Sequence, residues 1–217
     1  MNPAPRALIL AAGRGERMRP LTDHTPKPLL AARGKRLIEW HLEALARAGV
    51  REVVINTAWL EAKFPATLGD GSRWGLNIRY SMEQRDHGGA LETAGGIAKA
   101  LPWLAPRGNE VFWVVSGDIH VPDFRFDAAL VQTFAASDDH ALIWTVPNPP
   151  FKHEGDFAID AAGRLTRPPA ALRTETYANI ALARKLLAAQ EPESEPADAL
   201  DADHNQPACP CCGGRMI

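Results

Sequence analysis

The stretch from Ala7 to Leu29, ALILAAGRGERMRPLTDHTPKPL, constrains the fold of this chain more than any other. It opens on a short apolar run, Ala7 to Ala12, with the length and composition of a buried strand. The run breaks at Gly13-Arg14-Gly15-Glu16-Arg17. Two glycines so close together let the backbone approach a ligand and aim successive N–H groups at it, which is a cradle for phosphate oxygens. Arg17 adds a planar fork of donors. Pro26-Lys27-Pro28 then holds a second cation in a stiff frame, because each proline locks its own φ and restricts the residue before it. A strand, a glycine loop, an arginine and a clamped lysine together point to a triphosphate site.

Two common phosphate motifs fail here. A dinucleotide fingerprint needs a third glycine where Met18 stands, and a Walker A loop needs a terminal Gly-Lys-Ser/Thr that the stretch lacks. What the stretch resembles is the signature of sugar-phosphate nucleotidyltransferases, Gly-x-Gly-x-Arg-(Leu/Met)-x-Pro-Leu-Thr followed by Pro-Lys-Pro. Every element is present: Gly13, Gly15, Arg17, Met18, Pro20, Leu21, Thr22, then Pro26, Lys27 and Pro28. The resemblance implies a Rossmann-like nucleotidyltransferase fold, a nucleoside triphosphate and a sugar 1-phosphate as substrates, and Mg²⁺ as cofactor.

The chain in order supports an α/β reading on independent grounds. Leu37 to Ala46 has helical periodicity and stops at Gly49, and Val50 to Asn56 reads as a second buried strand. In one sheet a strand–helix–strand unit means parallel strands with a right-handed crossover. A helix is expected around Leu60 to Leu68, a strand over Leu76 to Ser81, a helix over Ala90 to Leu101 and a strand over Glu110 to Val115. A helix over Phe124 to Phe134 and a strand over Ala141 to Val146 follow. The expected fold class is α/β, a doubly wound, mostly parallel sheet flanked by helices, with its ligand crevice beyond the carboxyl ends of the strands. A hairpin is expected over Asp156 to Leu165, a strand over Thr174 to Leu182 and a short helix over Ala183 to Gln190.

Composition narrows the class. Among 217 residues, 46% are apolar and 23% charged, with net charge −2, so the charge balance calls for neither nucleic acid nor an acidic membrane surface. No apolar run approaches the ~18 residues that span a bilayer. The N-terminus carries no signal-peptide pattern, and all three cysteines lie near the C-terminus, so a cytoplasmic protein without a disulfide framework is expected.

Beyond the opening motif, Asp118 follows an apolar strand and Gly117, so it emerges at the ligand face, where a carboxylate suits Mg²⁺ bridging to phosphates. A turn or helix N-cap aspartate is the alternative. The resemblance makes Asp118 the metal ligand. It makes Arg17 and Lys27 the catalytic cations and Ala11, Ala12, Gly13, Gly15, Glu83 and Gly95 the nucleotide-binding set. The branch of the family that activates N-acetylmuramate 1-phosphate with UTP is similar over Tyr80-Ser81-Met82-Glu83 and Leu91-Glu92-Thr93-Ala94-Gly95-Gly96, although Arg85 to Gly89 lengthens the loop between them. By that resemblance Glu92, Asp156 and Asn179 bind the sugar substrate, and UTP is the favoured nucleotide. Asn179 fits a buried turn equally well. A guanylyltransferase acting on mannose 1-phosphate shares the opening motif and stays open as an alternative. None of the seven histidines has metal-ligand spacing.

The resemblance runs from about Arg6 to about Leu187. It implies a second metal aspartate in a later Trp-x-Asp-x-Gly segment, which the residues after Leu187 do not contain. A nucleotidyltransferase domain over 1–190 with an incomplete C-terminal part is therefore expected, followed by an acidic tail, disordered by composition, over 191–217. A catalytically impaired nucleotide-binding remnant is the corresponding alternative in function. Cys209, Cys211 and Cys212 supply at most three thiolates, short of a structural zinc site without His204 as a fourth ligand. The altered C-terminus is expected to leave apolar surface around Trp144 and Leu182 that favours self-association.

Overall fold

Apolar strands alternating with helices build one six-stranded sheet in the computed structural model, which describes residues 4–146, 158–166 and 177–183. In chain order the elements are β1 (Arg6–Leu10), α1 (Leu21–His24), the hairpin strands β2 (Ala31–Ala32) and β3 (Lys35–Arg36), α2 (Leu37–Arg47), β4 (Glu52–Thr57) and α3 (Lys63–Leu68). Then come β5 (Asn77–Met82), α4 (Glu83–His87), α5 (Glu92–Leu104), β6 (Phe112–Ser116), α6 (Ala128–Ala136) and β7 (Ala141–Val146). The short strands β8 (Ala158–Ile159) and β9 (Leu165–Thr166) and the longer β10 (Tyr177–Ala183) complete the described chain.

The sheet order is β5-β4-β1-β6-β10-β7. β1 pairs parallel with β4 and β6, and β4 pairs parallel with β5. β10 lies antiparallel between β6 and β7. The expected doubly wound, mostly parallel sheet is therefore present, with a reversed strand inserted that hydrophobic pattern alone does not reveal. An apolar run reads the same in either direction, and only the pairing register assigns one.

Burial on both faces explains the continuous apolar runs of the central strands. Ala7, Ile9, Val53, Ile55, Trp113 and Val115 point to one face, where Ile38, Leu42 and Leu45 of α2 and Phe64 and Leu68 of α3 cover them. Leu8, Val54, Phe112 and Val114 point to the other, against Ala100 and Leu104 of α5. Each fully buried large side chain stabilises the fold by roughly 1.5–3 kcal/mol.

Local chemistry sets the boundaries. The Arg36 backbone N–H donates to Glu39 Oε2 at 3.0 Å, which caps α2, and Arg73 donates to Oε1 of the same carboxylate at 2.7 Å. At the other end Gly49, at φ +86°, lets the Val50 N–H return to the Leu45 carbonyl at 3.1 Å. Arg85 to Gly89, which reads as an overlong loop, is instead largely helix α4, whose first N–H groups at Gln84 and Arg85 donate to Glu61 at 3.1 Å each.

Trp144 is half-buried, its ring centroid 5.6 Å from Trp113 and 5.3 Å from Phe124, so part of the expected apolar surface packs within the chain; the side chain of Leu182 lies outside the described ones. Among the described residues no helix is long and apolar enough to cross a membrane.

Candidate active site

Strand order reverses at β1: the chain proceeds from it to β4 and β5 on one side, then places β6 on the other. In open α/β sheets that reversal leaves a crevice beyond the strand ends. A cleft of about 230 Å³ opens there, between the loop after β1, the loop after β6 and the start of α5.

Ala11, Ala12, Gly13 and Gly15 line one side of the cleft. A Cβ on Gly13 would meet nothing within 4 Å, so the backbone there is open to a ligand. Gly15 is held differently, at φ +66°, where a Cβ would come within 3.2 Å of both Lys27 Cβ and Thr22 Cγ2. The Thr22 hydroxyl donates to the Gly15 carbonyl at 2.9 Å, and the Trp59 indole N–H donates to the Thr22 carbonyl at 2.9 Å. Arg14 lies over the Trp59 ring, 4.3 Å from its centroid. The glycine loop is thus tied to its own downstream segment and to the connection after β4.

Lys27 and Asp118, 91 residues apart in sequence, meet in the cleft. Lys27 Nζ donates to Asp118 Oδ2 at 2.8 Å, with 29% and 41% of the two side chains exposed. The Pro26–Lys27–Pro28 clamp buries Pro28 and Leu29 and leaves the lysine head free to reach the strand end. A Cβ on Gly117 would lie 2.9 Å from Ile9 Cγ2 and 3.0 Å from the Leu10 carbonyl, and the Gly117 N–H donates to that carbonyl at 2.8 Å. Glycine at 117 therefore lets the loop carrying Asp118 close against β1.

The next residue in this loop is fixed from below. The buried His41 of α2 places Nε2 3.0 Å from the Ile119 carbonyl. Burial lowers its pKa from 6.5 to about 4; the hydrogen bond to Ile119 and the charge of Asp118 oppose the shift, and His120 adds to it. Between these two values the unfolded chain holds more protons than the folded one. Stability should therefore be complete above pH 6.5 and fall as pH drops toward 4, by about 3 kcal/mol at 1.36 kcal/mol per unit. Urea midpoints across that window should show the slope, and His41→Gln should flatten it; an unchanged slope in the variant would refute the assignment. The signal for His41 in the sequence is its place on the apolar stripe of α2 with Ile38, Leu42 and Leu45.

The other expected site residues divide. Glu92 lines the cleft, beside Ala90 and Thr93, and holds a left-handed φ of +58° that is rare for a side-chain-bearing residue. Arg17 is exposed in the 3-10 turn Glu16–Met18 and lies outside the cleft lining. Of the expected nucleotide-binding residues, Ala11 lines the cleft and Glu83 and Gly95 do not. The N–H of Ala11 is taken by Asn56 Oδ1 at 2.8 Å and is closed to phosphate. Glu83 is fully buried, its two oxygens accepting from Asn56 Nδ2 and the Leu91 N–H at 2.8 Å each, so it lies beneath the site rather than in it. Gly95 is absent from the lining and serves packing, since a Cβ there would come within 2.8 Å of Leu91 Cβ.

Asn179 falls where the β10–β7 register shifts, next to the Ile180–Val115 pair at the end of the sheet where β6 stops. Asp156, Cys209, Cys211, Cys212 and the helix expected over Ala183 to Gln190 lie outside the described residues.

Among the described residues no cluster of three or more histidine, cysteine or acidic side chains is arranged to hold a metal ion. Asp118 nonetheless fits Mg²⁺, which takes one or two carboxylates and completes its shell with substrate phosphates and water. One oxygen of Asp118 faces a cation in the cleft already, in the form of the Lys27 ammonium.

The nucleotidyl transferase family model matches residues 6–167. The chain is 54% identical over 156 residues to a Neisseria meningitidis protein named N-acetylmuramate alpha-1-phosphate uridylyltransferase, covering 71% of this chain and 64% of that one. It is 38% identical over 113 residues to a Mycobacterium tuberculosis mannose-1-phosphate guanylyltransferase, covering 52% and 30%. The chain thus spans less than two thirds of the length of either relative. Two solved structures share the fold: a Bacillus anthracis protein in complex with sucrose (TM-score 0.65, 24% identity, 84% of this chain and 72% of that one), and HddC from Yersinia pseudotuberculosis complexed with GMP-PN (TM-score 0.63, 18% identity, 84% and 77%). A pattern running through residues 6–167 takes in all four parallel strands and both walls of the cleft, and on that ground the chain belongs to the nucleotidyl transferase family.

Proposed function

We propose that this chain transfers a nucleotidyl group, UMP from UTP, to a sugar 1-phosphate, with N-acetylmuramate 1-phosphate as the favoured acceptor. The observation that carries the reading is the Lys27–Asp118 pair at the switch point of the sheet, against the open backbone of Gly13. The 54% identity to the Neisseria meningitidis uridylyltransferase supports the choice of UTP and of the sugar.

An oxygen of the sugar phosphate attacks the α-phosphorus; a new P–O bond forms, the bond to the β-phosphate oxygen breaks, and pyrophosphate leaves. No protein nucleophile is needed, so catalysis reduces to positioning and charge neutralisation. Lys27 holds the α-phosphate and the incoming phosphate together against their repulsion. The backbone N–H groups at Gly13 and Gly15 cradle the triphosphate, and Arg17 closes on its outer end. Asp118 would hold Mg²⁺, which supplies charge neutralisation on nucleotide oxygens when bound. Glu92, Asp156 and Asn179 contact the sugar.

The test is pyrophosphate release with Mg²⁺ and either N-acetylmuramate 1-phosphate or mannose 1-phosphate, run with each of the four ribonucleoside triphosphates, and UTP binding by calorimetry alongside. Release that is fastest with UTP is expected. Preference for GTP with mannose 1-phosphate would replace the substrate assignment. UTP binding without release would replace turnover with a binding role.

A further inference from the structure

Two buried polar side chains, Asn56 in the lining of the cleft and Glu83 behind it, have no part in the chemistry just described. Asn56, at the end of β4, is 2% exposed and Glu83, at the start of α4, is fully buried. Burying a carboxylate and an amide side by side is costly unless every polar atom is used, and here the partners form a continuous chain. The Ala11 N–H donates to Asn56 Oδ1, Asn56 Nδ2 donates to Glu83 Oε1, and the Leu91 N–H donates to Glu83 Oε2, each at 2.8 Å. The polarity is fixed from both ends, because a backbone N–H only donates and a carboxylate only accepts. Glycine at 96 makes room for the bridge: a Cβ there would lie 2.6 Å from Asn56 Nδ2 and 2.9 Å from Glu83 Oε1.

The two ends of this bridge are the two walls of the cleft. Ala11 begins the glycine loop, and Leu91 immediately precedes Glu92, the cleft-lining residue with φ +58°. A non-glycine residue persists in that conformation only where its surroundings over-determine it. We infer that Asn56 and Glu83 are positioning residues that lock the phosphate loop to the start of α5, setting the separation of the cleft walls and holding Glu92 in its strained conformation. The consequence for nucleotide affinity rests on the uridylyl-transfer reading; the bridge itself does not.

The hydrogen-bond polarity supplies a decisive test. Glu83→Gln puts a donor where the bridge needs an acceptor, leaving two donors facing each other. Adding Asn56→Asp restores every bond with the charge moved: Asp accepts from Ala11 and from the glutamine amide, and the glutamine oxygen accepts from Leu91. Hydrogen–deuterium exchange of peptides spanning 11–13 and 88–93 should be compared in wild type, E83Q and N56D/E83Q, with UTP affinity measured by calorimetry on the same proteins. E83Q should exchange faster in both segments and bind UTP about tenfold more weakly, the ratio that corresponds to 1.4 kcal/mol. N56D/E83Q should return exchange and affinity to within about twofold of wild type. If E83Q fails to fold, a folded double variant with wild-type exchange upholds the bridge. An E83Q protein that exchanges like wild type, or a double variant as impaired as E83Q, overturns it. A wild-type protein that binds no UTP would overturn the uridylyl-transfer reading, while the exchange comparison still decides the bridge.

Discussion

Lys27→Ala is expected to lower turnover at least about a hundredfold, a loss of about 2.7 kcal/mol of transition-state stabilisation, the scale of removing one preorganised electrostatic donor. In the proposed reaction the lysine brings together two phosphates of like charge, and its ammonium is already held in place by Asp118 at 2.8 Å. Its position costs little to maintain, because Pro26 and Pro28 restrict the backbone and Pro28 and Leu29 bury the turn. Those anchors survive the substitution, so the fold should be kept and the melting temperature should move little. Arginine should not rescue, since its planar fork is a different shape from a point charge. Steady-state pyrophosphate release is the measurement, with circular dichroism to confirm folding. Turnover equal to wild type would remove Lys27 from the mechanism.

Asp118→Asn should be comparably severe and should carry a distinct signature. The carboxamide keeps the size of the side chain and its place at the end of β6, but it loses the negative charge that a hard cation requires. Turnover is expected to fall at least about a hundredfold, and the Mg²⁺ concentration for half-maximal activity should rise. Paramagnetic resonance of Mn²⁺ with UTP should show weaker retention of the ion by the variant, independent of turnover. Half-saturation by Mg²⁺ at the wild-type concentration would take Asp118 out of the metal site. Because Lys27 and Asp118 touch, the losses in the double variant should be smaller than the sum of the single losses. Full additivity would show that the ion pair has no role in organising the site.

The parts of this protein that were legible in sequence are those governed by short-range rules. Ala7 to Ala12 read as a buried strand because β1 is covered on both faces, and Gly49 marked the end of α2 because a helix commonly closes on a residue at positive φ. The hairpin expected over Asp156 to Leu165 is represented by β8 and β9 with Gly163 at φ +77° in its turn. The glycine pair, the proline-clamped lysine and the Gly117–Asp118 step were visible as types and spacings. Elements made of polar residues were not: α4 carries Glu83, Gln84, Arg85, Asp86 and His87, with no apolar stripe to announce a helix.

The sequence by itself determined that strands alternate with helices, that a glycine loop follows the first strand, and that Asp118 stands just past the carboxyl end of a strand. These are consequences of local propensity and periodicity. Only the tertiary structure decided that Lys27 and Asp118 meet and that β10 runs backwards between β6 and β7. Only it placed Glu83 beneath the cleft and Arg17 outside its lining. Each of these depends on which groups approach across tens of residues. A carboxylate written as Glu83 or as Asp118 has the same intrinsic chemistry. Burial against Asn56 and Leu91 makes one a strut, and exposure beside Lys27 makes the other available to a cation.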